Sequence, residues 1–128
     1  MLEKWVDLPG GERLQLKVST ITGSLGVYLE ERGQKRKKMA EIMPTGKFGG
    51  KAYEEYLEMA KGVITIPTDA VSGVASFEVS GYLVEVRNRI VGKQEIKNLL
   101  KRLLSMIGVA PTTEVTVHLN GNKILSWQ

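Results

Sequence analysis

In the run RLQLKVSTI, residues 13–21, Leu14, Leu16 and Val18 alternate with Arg13, Gln15, Lys17 and Ser19. Successive side chains of a strand point to opposite faces, so a chain apolar at every second position has one side for a core and one for water. Thr22-Gly23-Ser24 then supplies turn chemistry. LGVYLEER, residues 25–32, resumes the alternation, with Leu25, Val27 and Leu29 on one side and Tyr28 and Glu30 on the other. These two runs predict a hairpin.

A second tight turn is expected at residues 32–35, with Gly33 as the first central residue of a type II′ turn. The return strand would cover residues 35–43 and stop at Pro44. Lys37, Lys38 and Glu41 spoil its alternation, which suggests an edge strand or a protruding ribbon.

Beyond it, Ala52, Tyr53, Tyr56, Leu57 and Ala60 fall at helical spacing, opposite Glu54, Glu55 and Glu58. VITIP, residues 63–67, reads as a short extended piece, and TDAVSG, residues 68–73, as a loop. In residues 76–90 the pair Ser80-Gly81 marks either a turn between two strands or a bulge within one long strand. Ile96, Leu99, Leu100, Leu103, Leu104 and Ile107 recur at three- and four-residue steps and predict a helix over residues 94–107. Asn120-Gly121 is the pair favoured by a type I′ turn and predicts a final hairpin with Val115, Val117 and Leu119 facing the core.

The expected fold class is therefore α+β, mainly antiparallel sheet of about six to seven strands with two helices, in the order βββα-ββα-ββ. A chain of 128 residues has the length of one domain, so residues 1–128 are read as a single unit. Ordinary hydrophobic and charged fractions, 42% and 25%, place it among ordered globular proteins.

Chemistry is narrowly bounded. With no cysteine, disulfides, thiolate ligands and cysteine nucleophiles are excluded, and a reducing compartment is the natural setting. The single histidine, His118, occupies an outward strand position without a second His or Cys at ligand spacing, so no metal or cofactor is expected. Glu30-Glu31 point to opposite faces of a strand, and Glu54, Glu55 and Glu58 are the wet side of a helix. The glycine segment TGKFGGK, residues 45–51, matches neither a Walker A loop nor a dinucleotide fingerprint. The chain is read as a non-enzyme. It opens without a basic n-region followed by an apolar run, and no stretch approaches the about 20 apolar residues of a membrane span, so a soluble, cytoplasmic protein is expected.

Net charge is +4, with a pI near 9.4. It is unevenly placed: over residues 31–51 Arg32, Lys35, Arg36, Lys37, Lys38, Lys47 and Lys51 stand against Glu31 and Glu41. Lysine and arginine attract phosphates regardless of sequence, and an exposed ring such as Tyr28 can stack a base for about 1–3 kcal/mol. With Arg13 and Lys17 on the same sheet face, these residues point to a small protein that binds single-stranded DNA or RNA with little sequence specificity. The alternative is an assembly subunit whose basic patch meets an acidic protein. The wide apolar face carrying Leu99, Leu100, Leu103 and Leu104 suggests a homodimer.

Overall fold

The computed structural model describes residues 2–60, 62, 65–92 and 110–128. In chain order its elements are β1 (Leu2–Asp7), β2 (Arg13–Val18), β3 (Leu25–Glu30), β4 (Lys37–Met43), β5 (Lys47–Phe48), β6 (Lys51–Ala52), α1 (Tyr53–Met59), β7 (Ala70–Ser72), β8 (Val74–Val79), β9 (Tyr82–Ile90), β10 (Thr113–Leu119) and β11 (Asn122–Trp127). The described chain is thus mostly β, with eleven strands in three sheets and one short helix. This corrects the α+β expectation of six to seven strands and two helices. The helix expected over residues 94–107, and with it the dimer surface at Leu99, Leu100, Leu103 and Leu104, lies outside the described residues.

The larger strand count has specific sources. In β1 the charged Lys4 stands between Leu2 and Val6, while Trp5 takes the row of Glu3 and Asp7, so polarity does not alternate cleanly. Strands β5, β6 and β7 are two or three residues long, too short for any periodicity. Strand β4 is not an edge either: it lies between β3 and a short parallel β7. Only Glu41, Ile42 and Met43 pair with β7, so the lysine-bearing half of β4 has no neighbour on that side among the described residues.

Two sheets face each other, one in the order β1-β2-β3-β4-β7 and the other β11-β10-β9-β8. One apolar cluster draws on both. Leu14, Leu16, Leu25, Val27 and Ile42 from the first sheet and Val84, Val86 and Val117 from the second are wholly buried in it. Each such side chain contributes roughly 1.5–3 kcal/mol relative to exposure. The alternation read in β2, β3 and β10 is the inner face of these sheets. At Ser80-Gly81 the turn prevails over the bulge, with β8 and β9 paired from Val79↔Tyr82. Ser80 and Asn120 take φ values of 49° and 47°, each followed by a positive-φ glycine, as type I′ turns require. The first long turn is shifted by one: the Gln34 N–H donates to Glu31 O at 3.0 Å, which makes Gly33 the second central residue, not the first.

One corner joins the sheets through hydrogen bonds. The chain leaves β7 in the first sheet and enters β8 in the second through Gly73 alone. The Gly73 N–H donates to Met43 O and its carbonyl accepts from the Asn88 N–H, both at 2.8 Å. Beside it, the Thr45 N–H donates to Asn88 O at 3.1 Å and the Ile90 N–H to Thr45 O at 2.8 Å. The Asn88 side chain, fully buried, donates from Nδ2 to Gly23 O and Ile42 O, both at 2.9 Å. At the opposite seam, no backbone ladder joins β1 to β11 among the described residues, and a cleft of about 310 Å³ opens between Leu2, Val18, Pro111, Val115 and Trp127.

A second apolar cluster, Met43, Phe48, Tyr53, Tyr56, Ala60 and Ile90, fixes the β5–β6 hairpin and α1 to the corner. Phe48 and Tyr56 have ring centroids 4.8 Å apart, and the Tyr53 hydroxyl donates to Thr22 O. Burial pushes the Tyr53 phenol well above its ordinary range. The glycine segment is therefore a hairpin anchored by its phenylalanine. Among the described residues no helix is long and apolar enough to cross a membrane.

At the far end of the sandwich, Glu12 in the β1–β2 turn ties the sheets again. Its Oε1 accepts from the Ser80 hydroxyl in the β8–β9 turn at 2.5 Å.

Two outcomes follow. Gly73 has φ +78°, and a Cβ there would lie 2.8 Å from Thr45 Cγ2. Gly73→Ala is therefore expected to cost about 2–3 kcal/mol in urea denaturation. A Gly73→Ala/Thr45→Ala double variant should recover the steric part but not the backbone part. The Ser80 hydroxyl and backbone N–H groups, opposed by burial, hold the Glu12 carboxyl below 4.5. A depressed folded pKa stabilises the protein above the unfolded value, and that contribution is lost as pH falls through the folded one. Glu12→Gln should accordingly be less stable than wild type near neutrality, the gap closing below pH 4.5 in pH-resolved thermal melts.

Candidate nucleic-acid interface

The outer face of the first sheet is read row by row from its register. One row runs Trp5, Gln15, Tyr28, Lys38 across β1 to β4, flanked by Asp7, Arg13, Glu30 on one side and Glu3, Lys17, Gly26, Glu41 on the other. A bulge between Val27 and Tyr28 keeps Lys38 on this face although the pairing shifts by one residue. Tyr28 leans along its strand over Gly26, where a Cβ would lie 3.0 Å from the ring. That leaning ring is possible because Gly26 has no side chain.

Both aromatic rings carry cations. The Arg13 guanidinium lies 4.3 Å from the Trp5 ring centroid, and Arg36 and Lys17 lie 4.7 and 5.5 Å from that of Tyr28. Arg36 also donates to Gln15 Oε1, which draws the β3–β4 connection over the sheet. Gln15 is almost fully buried beneath it.

Four of the expected phosphate ligands face carboxylates instead. Arg13 pairs with Asp7 at 3.3 Å, Lys17 with Glu3 at 3.7 Å and Lys37 with Glu31 at 3.7 Å. Lys38 is held by Glu41 at 2.9 Å and Asp69 at 3.5 Å, and Ser24 donates to the other oxygen of Glu41. The hydrogen bond that Lys38 donates to Glu41 is the main cause that raises the Lys38 pKa above 10.5. Across the face, Glu3, Asp7, Glu30 and Glu41 balance Arg13, Lys17, Arg36 and Lys38. Arg32 and Lys35 are exposed at the β3–β4 turn and form no ion pair among the described residues; Arg36 beside them meets an amide and a ring, not a carboxylate. Lys47 and Lys51 are exposed on the separate β5–β6 hairpin.

The structure thus gathers Arg13, Lys17, Tyr28, Arg36 and Lys38 on one face, places Arg32, Lys35 and Lys37 at its margin, and sets Lys47 and Lys51 on another element. Trp5 was not identified from the sequence as part of the face. Its signal was present: Glu3, Trp5 and Asp7 occupy alternate positions, which a strand displays together. No protein-family model, curated protein or solved structure matches the chain.

Lys38→Ala is expected to destabilise the fold by about 0.5 kcal/mol at neutral pH, the scale of a partly exposed ion pair. A raised lysine pKa gives stability that is complete below 10.5 and lost as pH rises through the folded value, so urea midpoints of variant and wild type should converge in strong alkali.

Proposed function

We propose that this protein binds single-stranded nucleic acid without sequence preference, through the outer face of its first sheet and the adjoining β3–β4 turn. The observation that supports this reading is the alignment of Trp5 and Tyr28 in one cross-strand row, each ring with a guanidinium lying over it. Two rings with one strand between them, each layered with a guanidinium, offer stacking surfaces to an unstacked chain, and stacking on rings or guanidinium planes tolerates any base. Arg32, Lys35 and Arg36 supply phosphate contacts at the margin. Arg13, Lys17, Lys37 and Lys38 keep the platform in shape through their carboxylates, so their charge adds little to the attraction of a polyanion.

This division of labour has a measurable signature. Each phosphate neutralised on a single strand contributes a slope of about −0.7 to the dependence of log affinity on log salt, so three contacts give about −2, well short of the value if all nine basic residues expected from the sequence took part. Fluorescence anisotropy with labelled oligonucleotides at several salt concentrations should give that slope for any base composition. An Arg32→Ala/Lys35→Ala/Arg36→Ala variant should flatten it, and Tyr28→Ala should weaken binding roughly tenfold or more with the slope retained. Absence of oligonucleotide binding together with stoichiometric capture of an acidic protein would replace this reading with that of an assembly subunit.

A further inference from the structure

The outer face of the second sheet has a different chemistry. Glu85, Arg87 and Arg89 alternate outward on β9, and Glu114, Thr116 and His118 do so on β10. Cross-strand pairing sets Arg89 against Glu114, Arg87 against Thr116, and Glu85 against His118, which is itself paired with Lys123 of β11. The sheet-joining corner, with Thr45 and Ser72, raises a wall beside these rows. Together they line a half-open cleft of about 610 Å³. That volume is in the range of small-molecule sites.

The charged groups in it are arranged by depth. Glu85 and Glu114 have side chains only 28% and 20% exposed, whereas Arg87 and Arg89 are 57% and 65% exposed. Carboxylates therefore form the floor and guanidiniums the rim. Glu85 accepts from Arg87 Nε at 2.6 Å and Glu114 from Arg89 Nη2 at 3.2 Å. The Gln128 amide donates to the second oxygen of Glu114 at 3.1 Å and is the main reason its carboxyl is held below the ordinary range. Arg87 is oriented through Nε, and its two terminal nitrogens have no hydrogen-bond partner among the described residues. Lys123 and His118 have no ion-pair partner among the described residues. With histidine neutral, Arg87, Arg89 and Lys123 exceed Glu85 and Glu114 by one positive charge.

We propose that this cleft binds a small polyhydroxylated anion, of the sugar-phosphate or sugar-acid class. The terminal N–H groups of Arg87 match an oxyanion held side-on, with Lys123 and His118 closing around it. Glu114, Thr116, Thr45 and Ser72 then face the rest of the ligand with acceptors and hydroxyls, the pattern that a row of sugar hydroxyls satisfies. Among the described lining residues there is no Phe, Tyr or Trp, so the cleft offers no stacking surface for a nucleobase or for the apolar face of a neutral sugar. One surplus positive charge suits a single anionic group, not a polyanion.

Isothermal titration calorimetry on the intact chain tests this with glucose 6-phosphate, glucuronate, glucose and inorganic phosphate as probes. The first two distinguish a phosphate from a carboxylate as the anionic group, and at least one should bind saturably at one site per chain, with a change in the His118 imidazole resonances. Glucose and inorganic phosphate should each bind at least about tenfold more weakly, the loss expected when one half of the recognition is removed. Arg87→Ala and Thr116→Val should each weaken the better ligand by a similar factor, and the Arg32→Ala/Lys35→Ala/Arg36→Ala variant on the opposite sheet should not. Inorganic phosphate binding as tightly as the better probe, unchanged affinity in Arg87→Ala, or no saturable binding by either sugar anion would overturn the proposal.

Discussion

Everything in this fold depends on the hydrogen bonds that pass through Asn88 and Gly73. Face-to-face sheets lined by valine and leucine attract each other in many alignments, because dispersion and burial have little directional preference. A buried amide does not share that tolerance. Asn88 donates to Gly23 O and Ile42 O at once, and only one placement of β9 against the first sheet allows both bonds. Any slip leaves polar groups buried without partners, at roughly 1–3 kcal/mol each. The asparagine thus selects the alignment of a core that the aliphatic residues stabilise.

That alignment decides what the two outer faces can present. On the first sheet, salt bridges from β1 to β2 and within β4 neutralise most of the basic charge and leave aromatic rings and three turn cations as the distinctive features. The second sheet sets its half-buried carboxylates beneath arginines in an open cleft. Opposite sides of one sandwich therefore have unlike chemistries, one a broad aromatic and cationic face, the other a half-open cleft lined by charged and hydroxyl side chains. Both depend on local pairing more than on the net charge of +4.

The hairpins were legible in the sequence because their determinants are local. Leu14, Leu16 and Val18 declare a face, and Asn120-Gly121 declares a turn. Strand β1 was hidden by Lys4 in its apolar row, and β7 by its three residues, whose pairing with β4 spans a long separation in the chain. The corner at Gly73 was illegible for the same reason, since its partners Met43, Thr45 and Asn88 converge only once both sheets exist. The shared face of Arg13, Lys17 and Tyr28 followed from alternation. Its neutralisation did not, because Glu3 and Asp7 come from the unrecognised strand and Asp69 from a distant loop.

The two seams of the sandwich are unequal. Backbone bonds stitch the Gly73 corner, whereas among the described residues the side between β1 and β11 has an apolar cleft between Leu2 and Trp127, no ladder across it, and one backbone bond from the Ala110 N–H to Thr20 O at 3.1 Å. A body fastened more strongly along one margin yields first at the other. Water entering this cleft reaches Val18 and Val115 first, at the cost of the Ala110–Thr20 bond, while the Asn88 bonds and the aromatic cluster at the corner stay intact.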